Sequence, residues 1–153
     1  MRKPLLKLWI VLFLMPGYGY LMHGQKLDKL QWKNRILLVK ASNGNSQLLT
    51  HQWEEFEDYG SEMQERKLVF YEFVGNQYRI CDFKDKGDEA KWMQAEFIPK
   101  LLQKNNKPFE VVLIGLDGGV KLRQQTILKR EELFRIIDSM PMRRQEIRRK
   151  SDF

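Results

Sequence analysis

Apolar residues along the chain fall into short runs, and the period of each run predicts its element. "RILLVK", Arg35 to Lys40, is a continuous apolar run between charges. That is the pattern of a strand buried on both faces. "ASNGNS" follows, a turn cluster that ends the strand and offers Asn45 or Ser46 as a helix N-cap. Leu49, Trp53, Phe56 and Met63 then approximate helical spacing, with acids on the other face. Gly60 is expected to stop that helix just after Tyr59. "KLVFYEFV", Lys67 to Val74, is rich in aromatic and β-branched residues and predicts a second strand. "GNQ" turns it into a short partner, Tyr78 to Phe83. After the charged "KDKGDE", Ala90, Met93, Phe97 and Leu101 share a helical face, with Pro99 as a kink. Phe109 to Ile114 is another buried strand, and Val120 to Arg123 alternates like an exposed antiparallel one. Leu133, Ile136, Ile137 and Met140 mark a last helix, with Glu131 and Glu132 in its first turn and Pro141 at its end.

The order β-α-β-(β)-α-β-β-α predicts an α/β fold. A central mixed sheet of about four to five strands carries helices on both faces, in three layers. A terminal hairpin followed by a C-terminal helix is the thioredoxin-like arrangement.

The 153 residues suffice for one domain with a real core. Residues 1–24 read as a secretory signal. Arg2 and Lys3 precede an apolar run, Leu5 to Met15, that is short for a bilayer span and closes on Pro16 and Gly17. Gly19 and Gly24 are the candidate cleavage positions. The alternative is an uncleaved anchor, since apolar character resumes at Tyr18 to Met22. The expected location is the periplasm or the extracellular space. The domain then spans 25–146, and 147–153 is a basic tail expected to fray. The formal charge of +7 suggests nucleic acid at first. Much of it, however, lies in Arg2, Lys3 and Lys7 and in the arginine-rich tail, which leaves the body near neutrality. Export and this distribution argue against nucleic acid as a partner.

"VLIGLDGGVKLR", Val112 to Arg123, resembles a phosphate loop at first glance. Its glycines match neither G-x-G-x-x-G nor G-x-x-x-x-G-K-[ST], and a strand pattern follows where a phosphate loop needs a helix. Asp117-Gly118 is a hairpin signal in which both central residues are expected to take positive φ.

"FEVVLIGLDGGVKLR" followed by "LFRIIDSMPMRRQE" resembles the end of a thioredoxin-like family catalogued as domain of unknown function 4174. Similar modules occur in bacterial exported proteins and in animal extracellular-matrix proteins with coiled-coil or sushi-repeat names. The resemblance spans about Leu30 to Glu146, and "MPMRR", Met140 to Arg144, is its most specific part. Leu116 stands where the family usually has lysine. The resemblance implies no catalytic residues.

Chemistry of the usual thioredoxin kind needs a thiolate at the start of the first helix. Ser42 to Ser46 occupy that place, and no Cys-x-x-Cys exists. Cys81 is the one cysteine. It is either a small buried apolar residue or, in the alternative reading, the reactive thiol of an atypical single-cysteine redox protein. Pro108 is either a relic of the cis-proline of such sites or an ordinary strand-edge proline. His51 and Glu55 form an i, i+4 pair, too few ligands for a metal site, so no metal or cofactor is expected. Trp32, Trp53 and Trp92 read either as a ligand pocket or as core.

The best binding candidates are Arg143 and Arg144. Pro141 between Met140 and Met142 stops the helix, and methionines packed on the sheet would fix both guanidinium groups. Such a pair suits carboxylate or phosphate. The alternative is that both pair with the domain's own acids, such as Asp138. The function expected is that of a non-enzymatic binding module. Its partner would be an envelope or extracellular protein or an anionic polymer.

Overall fold

The computed structural model describes residues 27, 29–42, 47–81, 83, 91–95, 102 and 107–152. The signal segment, the Asn45 or Ser46 cap, Ala90, Phe97, Pro99 and Leu101 lie outside them.

The chain is α/β. Its strands are β1 (Arg35–Ala41), β2 (Leu68–Val74), β3 (Gln77–Cys81), β4 (Met93–Gln94), β5 (Phe109–Ile114) and β6 (Val120–Gln124). They form one mixed sheet in the order β4-β3-β2-β1-β5-β6. β1 pairs parallel with β2 and antiparallel with β5, and every other pairing is antiparallel. The continuous apolar runs sit in the middle. All of β1 except Lys40 is buried, and so is all of β5. The alternating run forms the edge strand β6, as its half-polar pattern requires.

The period of 2 along the strands sorts their side chains into two cores. Leu37, Val39, Phe70, Val111 and Leu113 face one side, where Leu49, Met63, Leu133 and Ile137 from helices and Phe56 from a turn cover them. Ile36, Leu38, Val69, Tyr71 and Val112 face the other, against Leu27, Leu30 and Leu102. Each fully buried side chain of this size contributes about 1.5–3 kcal/mol by leaving water.

The helices of the first face are α1 (Gln47–Glu54), α2 (Gly60–Glu65), α3 (Arg130–Ser139) and α4 (Pro141–Ser151), with a 3-10 turn at Glu57–Tyr59. Buried Gln52 ties α1 to the segment before α3. Its amide donates to the Leu128 carbonyl at 2.9 Å and accepts from the Leu128 N–H at 2.7 Å. Glu55 caps α3 from outside by accepting from the Arg130 N–H at 3.2 Å.

Four expectations need correction. The sheet has six strands, not four to five. Met93, expected on a helix, lies in β4, because pairing with Tyr78 on the open edge of β3 satisfies its backbone. Gly60 does not stop a helix. With φ −57° it is helical and opens α2, so it does not take the left-handed conformation of a C-terminal stop. Pro141 does end α3, but the tail beyond Glu146 is helical to Ser151 rather than frayed. Proline at the first helical position costs no hydrogen bond, and basic residues in the last turn suit the dipole.

Candidate functional site

The two motifs singled out in the sequence meet at one end of the sheet, beside the start of β1. The first is the β5–β6 hairpin. Gly118 takes φ +80°, and its N–H donates to the Gly115 carbonyl at 3.0 Å. Only Gly118, not Asp117 as well, has positive φ. A five-residue loop closed by a bond from the Gly115 N–H to the Gly119 carbonyl, at 2.9 Å, spreads the reversal and leaves a register shift at Leu113/Ile114. The Asp117 carboxylate accepts from Lys121 at 2.6 Å and from the Gly119 N–H at 3.0 Å. Those bonds, the Lys121 one foremost, hold its pKa below the ordinary value.

The second motif is the α3–α4 junction. Met140 is extended, with φ −66° and ψ 139°, because the residue before proline is pushed out of the helical region. A cleft of about 300 Å³ opens between the two motifs. Leu116, Asp117 and Lys121 form its hairpin wall, and Ile136, Ser139, Met140, Pro141 and Met142 its helical wall. Arg35, the first residue of β1, lines it from the sheet.

Behind the cleft lies a network of charges. Arg143 was expected at a surface site, yet it is 3% exposed and faces inward. It donates to Asp138 at 3.1 Å and to the side chain and carbonyl of Glu65 at 3.0 and 3.3 Å. Burial pulls its pKa down, but Glu65 and then Asp138 lift it above the ordinary value. Arg144 is exposed. The expected pair is therefore split: successive helical residues point in different directions, and Asp138 on α3 takes the first of them. Arg66 completes this side, donating to Asp138 at 2.6 Å with its guanidinium 4.0 Å from the Phe134 ring.

Arg35 differs. Its side chain is fully buried. One terminal nitrogen, Nη1, donates to the Arg66 carbonyl at 2.8 Å and to Glu146 at 3.3 Å. Among the described residues, Nε and Nη2 have no hydrogen-bond partner. Burial first, and the neighbouring Arg143 with it, push its pKa down against the pull of Glu146. Glu146 is itself shared with Lys67, at 3.2 Å. Nothing in the sequence marked Arg35 as a site except its charge at the head of an apolar run.

The other end of the sheet carries less. The Lys107–Pro108 peptide is trans, and the Pro108 carbonyl accepts from the Ser42 N–H at 2.8 Å, as a strand-edge residue does. Cys81 is half-buried against the first core. Trp53 stacks on Phe70, and Arg79 lies over both Trp53 and Trp92 while pairing with buried Glu72. Trp32 is 64% exposed beside the hairpin, where its N–H donates to the Leu116 carbonyl. The three tryptophans thus form no common pocket. Glu55 of the His51 pair is taken by Lys129 and the Arg130 N–H.

The model of one protein family, Domain of unknown function (DUF4174), matches residues 26–146. No curated protein and no solved structure matches the chain.

Proposed function

The chain belongs to the family described as Domain of unknown function (DUF4174), and from that premise we propose that it is an exported, thioredoxin-like module that acts by binding. Residues 1–24 direct it to the periplasm or the extracellular space. There it holds a partner, a protein or an anionic polymer of that compartment, without transforming it. One observation carries the reading: the hairpin and the methionine–proline junction, distant in sequence, form opposite walls of one cleft over a buried guanidinium. Cleft walls built from two separate elements over a charged floor suit recognition. Cys81, the reactive thiol of the alternative reading, is on β3 and packs with the first core, which supports its role as a small apolar residue.

Ser139 is an exposed residue of the helical wall, so Ser139→Trp fills the cleft without touching the core. In vivo cross-linking with tagged wild type and this variant tests the reading. The wild type is expected to trap a component of the exported fraction, and the variant to lose it with its melting temperature unchanged. Equal trapping by both would place binding elsewhere.

A further inference from the structure

We propose that the cleft is a carboxylate site, in which the Nε and Nη2 donors of Arg35 grip the acid of a ligand whose apolar stem lies between Leu116 and Met142. This rests on the binding reading and names its ligand class.

The argument starts from which nitrogens are used. Nη1 of Arg35 is taken by the Arg66 carbonyl and Glu146. The two left over, Nε and Nη2, carry parallel N–H groups on one edge of the guanidinium plane. That edge matches the two oxygens of a carboxylate, and lysine cannot reproduce it. Leaving such donors unmet in the interior costs about 1–3 kcal/mol each. Their burial is otherwise unexplained, since Glu146 approaches the opposite nitrogen.

The surroundings favour an anion with an apolar tail. Five cations, Arg35, Arg66, Lys67, Arg143 and Lys150, face three carboxylates, Glu65, Asp138 and Glu146, so the network behind the cleft has excess positive charge. The α4 N-terminus opens at Pro141 on the cleft wall with no side-chain cap, and its dipole adds to the same sign. Asp117, the acid on the hairpin wall, is held by Lys121. Apart from Ser139, the rest of the wall is apolar, with Leu116, Ile136, Met140, Pro141 and Met142. Arg35 lines the cleft, with Nε and Nη2 out of contact with solvent. A ligand must therefore displace what covers them, and the unbranched methionines of the wall can yield at little cost.

The test is a titration of the isotope-labelled full chain with sodium octanoate, octanamide and inorganic phosphate, followed by NMR of the Arg35 Nε–H and the Leu116 and Met142 groups. Octanoate is expected to shift all three signals to saturation, with octanamide and phosphate weaker by at least about tenfold. Met142→Ala, on an exposed side chain, is expected to weaken octanoate and keep the fold. Arg35→Lys is expected to abolish binding. Should that variant unfold, the Arg35 Nε–H signal and Met142→Ala still decide. N-acetyl-dileucine with a free or an amidated terminus distinguishes sources: tighter binding of the free acid than of octanoate points to a polypeptide terminus, the reverse to a small acid, and both support a carboxylate site. Phosphate binding as well as octanoate, or octanoate binding that leaves Arg35 Nε–H unmoved, overturns the inference. If the cross-linked partner is still trapped in that case, the binding reading stands without it.

Discussion

Arg35 and Arg143 are both buried, both on the helical face of the sheet and both near Glu146, yet their surroundings are opposite. Arg143 meets Glu65 and Asp138 with donors on every side. Arg35 meets acid and carbonyl with one nitrogen and nothing with the other two. Their pKa values move apart accordingly: acids raise that of Arg143 and burial lowers that of Arg35. A buried ion satisfied from all sides is a structural clasp. One left half-satisfied at the edge of a cleft destabilises the fold, and a ligand gives a reason for it to persist.

The largest effect that separates the two is on stability. Arg143→Met removes every hydrogen bond of a buried guanidinium and leaves Lys150 alone to tie α4 to Glu65 of α2. It is expected to cost about 3 kcal/mol or more in urea unfolding. Arg35→Met removes a charge that is poorly paired, and Glu146 keeps Lys67 as partner. It is expected to change stability by less than about 1 kcal/mol in either direction. Equal losses in the two variants would erase the distinction.

A middle-sized effect sharpens the geometry around Arg35. Gly118→Val forces a β-branched residue to φ +80°, where its Cβ would also sit 3.1 Å from the Gln31 amide. The expected cost is about 1–3 kcal/mol. Thermal unfolding checks it. An unchanged melting temperature with lost ligand binding would make the turn part of the site rather than its support.

The smallest effect is pH dependence. Arg143 holds the Glu65 pKa below the ordinary value, with Lys150 assisting. A depressed carboxyl binds fewer protons in the folded state, so its contribution is present at neutral pH. It is lost as pH falls from the ordinary carboxylate range, near about 4, through the depressed folded pKa. Glu65→Gln is expected to flatten the acid side of the urea-midpoint profile slightly. Glu65 is partly exposed, and solvent screens the effect. An unaltered profile would mean that the Glu65 carboxylate does not hold Arg143.

What could be read in the sequence follows from range. β1, β2, β5, β6 and α3 announce themselves through local apolar period, and the structure places them within a residue or two of expectation. β4 has two residues and exists by pairing with β3, so no local period marks it. Gly60 looked like a stop because glycine favours helix ends, yet its backbone is right-handed and opens α2 after the 3-10 turn. "MPMRR" was legible as a junction but not as a clasp, because the acids that claim Arg143 include Glu65, 78 residues away. Arg35 was passed over for the same reason: its nearest acid is 111 residues distant. A long polar side chain at the head of the apolar run Ile36 to Val39 was the one signal available.

The measurement that tests the account most directly is octanoate binding by Arg35→Met beside its urea midpoint. A buried cation kept for a ligand predicts that this variant stays within about 1 kcal/mol of the wild type in stability and binds octanoate no better than octanamide. A midpoint as low as that of Arg143→Met, with octanoate binding retained, would show that Arg35 is a clasp like its neighbour and that the cleft binds, if at all, without it.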